Sequence, residues 1–190
     1  LQLLRAKFDR TTKQRYKILC EAKALPSDQY ALQSQLKFHG YSIEEGLIEI
    51  EPREGEYHIR EEDILSAIQN NEESLALVMI GGVNYFTGQV FDMKAITEAG
   101  HNVGAIVGFD LAHAAGNIKL ELHNWKVDFA AWCSYKYLNS GPGSVAGAFV
   151  HEKHLNNTEL PLFAGWWGHD KKTRFLMGGE FVPMLTKERW

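Results

Sequence analysis

The sequence predicts an α/β protein: a mainly parallel sheet with helices on both faces. Two observations carry the prediction. Strand-like and helix-like segments alternate, as in SLALVMIGG, FDMKAITEAGHNVG and AIVGFD, which is the pattern of βαβ units. SLALVMI is also apolar without a polar alternate, as a strand covered on both faces should be.

The elements follow in order. RYKILCEA (15–22) is a short strand. Ser27 and Asp28 offer a helix cap, with the helix running to about His39 and stopping at Gly40. LIEIEP (47–52) alternates with period two, the mark of a half-buried strand. From Arg60, REEDILSAIQNN sets Ile64, Leu65 and Ile68 on one helical face, with acids in the first turn. SLALVMIGG (74–82) is a buried strand. FDMKAITEAGHNVG (91–104) is a helix with Gly100 near its end, and AIVGFD (105–110) a strand closing on Asp110. VDFAAWCS (127–134) and SVAGAFVH (144–151) are two more strands around a lysine loop, with room for one antiparallel member.

Composition limits the function classes. The 190 residues, 45% hydrophobic and 23% charged, lie in the ordinary globular range and suit one or two domains. A net charge of −4 gives no reason to expect nucleic acid or an anionic membrane as partner. No apolar run approaches the roughly 20 residues needed to span a bilayer, and there is no basic-then-apolar leader. Cys20 and Cys133 suit a reducing compartment, so a cytoplasmic protein is expected. Asn156-Asn157-Thr158 fits a glycosylation triplet, which arises often by chance. A start at Leu1 and a stop at Lys187-Glu188-Arg189-Trp190 suggest a piece of a longer protein.

In open α/β sheets the site lies at the carboxyl ends of the strands. Three groups fall there: Gly81-Gly82, Asp110 and Tyr135-Lys136. Lys136 lies among aromatic and apolar residues in FAAWCSYKYLNSGPG. A surface lysine is the ordinary reading, but a desolvated one is how proteins make an imine with an aldehyde. Asp110 can cap the turn that follows it, or pair with a pyridinium nitrogen. His113 could hold Asp110 or touch a cofactor ring.

Other chemistries find less support. GPGSVAG (141–147) has the wrong spacing for a dinucleotide fingerprint and precedes a strand, so its small residues are expected to pack closely beside the lysine. His151 and His154 lack a third ligand by spacing, so no metal is expected. No G-x-S-x-G elbow is present.

FDLAHAAGN, WCSYKYLN, GAFVHEKH and GWWGH, in this order and spacing, resemble the kynureninases, and the likeness extends over nearly the whole chain. The resemblance implies the large domain of the type I pyridoxal-phosphate-dependent transferase fold. It implies hydrolysis of L-kynurenine or its 3-hydroxy form to L-alanine and the corresponding anthranilate. Lys136 would carry the cofactor as an imine and move the α-proton. Asp110 would pair with the pyridinium nitrogen with His113 beside it, and Tyr135 would bond the phosphate. Leu25, Pro26, Ser27 and Asp28 match the loop beside the cofactor ring. Trp166 matches a residue that reaches the site from the neighbouring subunit, implying a homodimer with shared sites; the aromatic-rich FAGWWGHDKKTRF suits such an interface.

Three positions depart from the family. Leu25 replaces a phenylalanine that would stack on the ring, worth on the order of 1 kcal/mol. Gly81 replaces a serine whose hydroxyl contacts the phosphate, about 1.5–3 kcal/mol for a bond to a charged group. Phe86 stands where many relatives have tyrosine. Weaker cofactor retention is therefore expected, and a dissociation constant matching ordinary relatives would refute it. The resemblance also makes residues 1–190 the central part of the large domain, without its N-terminal segment or the C-terminal small domain. These 190 residues alone are expected not to turn over kynurenine. The alternatives are another type I enzyme, such as a cysteine desulfurase or class V aminotransferase, and a catalytically impaired homologue.

Overall fold

The computed structural model describes residues 12, 14–154 and 165–184. They hold six strands, β1 (Lys17–Glu21), β2 (Leu47–Ile50), β3 (Leu75–Gly81), β4 (Ile106–Asp110), β5 (Phe129–Trp132) and β6 (Gly147–Val150), in one sheet of order β2-β1-β3-β4-β5-β6. The first five run parallel to their neighbours and β6 is antiparallel to β5. The α helices are α1 (Pro26–Phe38), α2 (Ile43–Gly46), α3 (Glu61–Asn70) and α4 (Met93–Asn102). None is long and apolar enough to cross a membrane.

The unbroken apolar strands are explained by cover on both faces. Ile18, Cys20, Leu77, Met79 and Phe129 pack against Leu32 and Leu36 of α1. The alternate residues Leu19, Val78, Ile80, Val107 and Phe109 pack against Ile64, Ile68 and Ile96 of α3 and α4. Adjacent side chains on a strand point to opposite faces, so both sets are needed.

Two local features differ from the sequence reading. Ser27 and Asp28 do not cap α1: Leu25 is the flanking residue, and Pro26 opens the helix with no side-chain cap. Proline is already set at the φ a first turn needs and has no N–H to leave unpaired. Asp28 thus sits inside the first turn, where its N–H donates to the Leu25 carbonyl at 2.8 Å. Gly100 lies near the end of α4, as expected, and a Cβ there would come 2.4 Å from Val107 Cγ2, so glycine lets α4 lie close on β4. Helix α2 has no apolar periodicity to announce it. It is one turn, closed by Ser42 Oγ accepting from the Glu45 N–H at 3.2 Å.

Gly108 shows the same close packing. A Cβ on it would lie 2.3 Å from the Phe129 ring, its registered neighbour on β5. Gly108→Ala should therefore lower stability by about 1–3 kcal/mol through overpacking. A urea midpoint equal to wild type would show that the ring can move aside.

Candidate active site

Three chain segments meet at the carboxyl edge of the sheet, because parallel strands all point there. β3 ends at Gly81, registered with Asp110 at the end of β4, and the Gly82 N–H donates to the Asp110 carbonyl at 2.8 Å. β1 ends at Glu21, five residues before α1 brings in Asp28.

The Asp110 side chain makes two contacts. Its Oδ1 accepts from the Ala112 N–H at 2.8 Å, capping the turn. Its carboxyl also hydrogen-bonds to that of Asp28. Two carboxyls can share such a bond only if one keeps a proton. Burial, this bond and the Asp110 charge push Asp28 up to about 8. Glu21 is buried and pushed up to about 7, mainly by burial and against the pull of backbone N–H donors.

Lys136 corrects its sequence reading. It is half-buried, not enclosed: Tyr135, Tyr137 and Leu138 beside it are exposed. The residues from 133 onward form a surface turn after β5, which is shorter than the apolar run suggested. The turn is held by the Asn139 N–H on the Lys136 carbonyl and the Ser140 N–H on the Ser134 carbonyl, both 3.1 Å. Ser134 Oγ donates onward to Val145 O at 2.6 Å. From below, the turn rests on Gly116, where a Cβ would meet Tyr137 O at 2.9 Å. Against the sequence expectation, Gly141 and Gly143 do not pack closely. They have φ of +83° and +76° with open space around them, so they serve the turn's left-handed backbone.

His113 joins the two halves. Burial first, then the Lys136 ammonium, hold its pKa below the ordinary value, while Asp110 acts in the opposite direction. Its ring lies 6.5 Å from Tyr85 and 6.4 Å from Tyr137. Lys136 Nζ is 5.9 Å from the Tyr135 ring centre. A hydrogen bond with Cys133 raises the Tyr135 phenol. Beyond Tyr85 opens a cleft of about 350 Å³ lined by Ile59, Tyr57, Phe86 and Asn84 among others.

Of the residues singled out from sequence, Asp28, Asp110, His113 and Lys136 are brought together. Leu25, Pro26 and Ser27 open α1, with Pro26 and Ser27 exposed. Trp166, half exposed, is not joined to this cluster. Its ring meets Trp167 and Phe175, and its Nε1 donates to Arg174 O at 3.2 Å. The Asn156-Asn157-Thr158 triplet lies outside the described residues, as do Phe163 and Ala164.

Comparison with known proteins then gives the lineage. The model of the aminotransferase class-V family matches residues 3–172. The chain belongs to the class-V aminotransferase family. Among relatives of this class-V chain, a kynureninase of Flavobacterium psychrophilum is 65% identical over all 190 residues and 45% of its own length. A kynureninase of Mus musculus is 55% identical over 93% of this chain and 38% of its own. The chain thus spans less than half the length of these relatives. Among solved structures, a cysteine desulfurase from Thermococcus onnurineus NA1 superposes with a TM-score of 0.73 at 21% identity, over 99% of this chain and 43% of that one. The cystine C-S lyase C-DES gives 0.72 at 18% identity, over 99% and 48%. These two speak for the class-V fold alone.

Sequence reading missed two acids. Glu21 carries the same signal as Asp110, an acid closing an apolar strand (KILCE beside IVGFD). Asp128, at the other end of the sheet, is buried and bonded to His101, Lys153 and His154. His154 is therefore occupied by Asp128, and His151 stacks on His123 at 4.8 Å.

The acids at the carboxyl edge predict a pH dependence. Asp28 and Glu21 ordinarily titrate near 4, and folding raises both. The folded state then binds more protons than the unfolded one between about 4 and the raised values. Stability from these groups is full below about 4 and is lost as pH rises through 7 to 8. The unligated protein should have a lower urea midpoint at pH 8 than at pH 5.5, and Asp28→Asn should flatten that slope. An unchanged slope in the variant would remove Asp28 from the account.

Proposed function

We propose that the protein of which this chain is part hydrolyses L-kynurenine, or its 3-hydroxy form, to the anthranilate and L-alanine, using pyridoxal phosphate. The observation that carries the reading is the hydrogen-bonded Asp28–Asp110 pair at one end of a cluster that has Lys136 at the other, spanned by His113. The 55–65% identical kynureninases supply the substrate.

The donor set fits the cofactor. A carboxyl pair that shares a proton can become fully anionic beside a cationic ring nitrogen, and a half-exposed amine is free to meet an aldehyde. Tyr135 offers a hydroxyl for the phosphate, and Leu25 an apolar surface for the ring face. When bound, pyridoxal phosphate withdraws electrons from the α-carbon of an attached amino acid.

The chain's own residues do the rest. Asp110, braced by the Ala112 N–H and Asp28, would hold the ring nitrogen in its protonated form. Lys136 would hold the cofactor through its Nζ, and the same amine, when free, would take the α-proton. His113 lies between them, and Asp110 and Lys136 pull its protonation in opposite directions. The cleft beyond Tyr85 is of a size to seat the aryl end of the substrate. We read residues 1–190 as the central part of the large cofactor-binding domain of a cytoplasmic enzyme. Trp166 to Val182, with Trp167, Phe175 and Leu176 72–75% exposed, would meet a second subunit of a homodimer.

The test is to supply the full-length protein with pyridoxal phosphate and L-kynurenine. Equal amounts of anthranilate and alanine are expected. A bound cofactor without either product would favour the impaired homologue.

A further inference from the structure

Glu21 closes β1 as Asp110 closes β4, yet neither the packing nor the chemistry above employs it. It is 5% exposed. Its two carboxylate oxygens accept the Gly81 N–H at 3.1 and 3.2 Å. A Cβ on Gly81 would lie 3.0 Å from Glu21 Oε1, so the glycine leaves the acid its place. Gly81 is in turn registered with Asp110. Glu21 therefore stands one strand away from Asp110, with only backbone between them.

An N–H acceptor alone would not call for an acid, because burying a carboxyl is costly and an amide oxygen accepts as well. The charged groups around Glu21 do not neutralise it. Asp28 of α1 and Asp110 of β4 act on it or are acted on by it as like charges. Glu49 of β2 is turned to Gln29. Lys136 and His113 act on one another beside Asp110. Three acids share this sheet edge.

We propose that Glu21 is a positioning residue for the Asp28–Asp110 pair: it pins the end of β3 through the Gly81 N–H and, as third acid, sets how readily the pair releases its proton. Where the cofactor reading above holds, Glu21 thereby sets the lowest pH at which the pair can hold a cationic ring nitrogen. Its charge raises the pair's midpoint, so removing that charge lowers it.

The experiment uses the unligated full-length protein with ¹³C-labelled aspartate carboxyls and follows Asp28 and Asp110 by NMR across pH. Glu21→Gln keeps the volume and an oxygen for Gly81. It should lower the pair's midpoint by about one pH unit. A folded variant with the wild-type midpoint would overturn the proposal. Should Glu21→Gln not fold, labelled glutamate in the wild type decides instead: mutually shifted titrations of Glu21, Asp28 and Asp110 support coupling, and three independent single-site curves overturn it. A second arm measures pyridoxal phosphate retention against pH, whose acid limb should move down by the same amount in the variant. If wild type retains no cofactor, the functional reading fails, while the NMR titration still decides the role of Glu21.

Discussion

Asp128→Asn should lower the melting temperature by on the order of 10 °C. Asp128 is 1% exposed. Its carboxylate accepts from His101 Nε2 and His154 Nε2, both 2.7 Å, Lys153 Nζ at 2.6 Å and the Val107 N–H at 2.8 Å. These partners outweigh its burial and hold its carboxyl far below the ordinary range. An amide keeps one acceptor oxygen but turns an NH₂ towards donors, and leaves Lys153 facing no anion. Breaking a buried pair from one side costs about 3–5 kcal/mol, and 1 kcal/mol moves the melting point of a protein this size by about 2–4 °C. Because the folded pKa is depressed, this stability is present above about pH 4 and erodes as pH falls further. The comparison is Lys119→Gln, at the exposed end of the Glu121 ion pair, which should cost under about 1 kcal/mol. Calorimetry at pH 7 giving both variants the same small shift would refute a structural role for Asp128.

Where the proposed function holds, Lys136→Ala should reduce kynurenine turnover in the full-length protein by at least about 10³-fold, since it would remove both a nucleophile and a general base. The variant should also lose the attachment that borohydride makes permanent, because borohydride reduces an imine between the lysine and the cofactor to a stable secondary amine. Lys136→Arg separates charge from chemistry. It retains the cation but has no amine able to attack an aldehyde, so it should be as slow as alanine. The turn itself should survive, because its hydrogen bonds are made by backbone atoms of 134, 136, 139 and 140. More than a tenth of wild-type kcat in either variant would mean that another group holds the cofactor.

Much of this was readable from one sequence because the signals are local. An uninterrupted apolar run such as LALVMI can be stable only when covered on both faces, and β3 lies in the middle of the sheet for that reason. An acid or lysine at the end of such a run must emerge at the carboxyl edge, which is why Asp110 and Lys136 could be named together. Burial was harder to read. The aromatic neighbours of Lys136 suggested an enclosed lysine, but β5 ends at Trp132 and the chain turns outward. Side-chain composition does not say where a strand stops; hydrogen bonding to the neighbouring strands does.

The amino-acid order by itself determined the α/β class, the run of elements and the edge at which the reactive groups gather, because periodicity and strand polarity are properties of the local chain. Only the tertiary structure decided that Asp28 meets Asp110, that Glu21 reaches across to Gly81, and that His101, Lys153 and His154 surround Asp128. Those pairings join residues up to 82 positions apart in the chain, counted from Asp28 to Asp110. Proton sharing and burial depend on distance in space and on the exclusion of water, and neither is written in the spacing of residues along the chain.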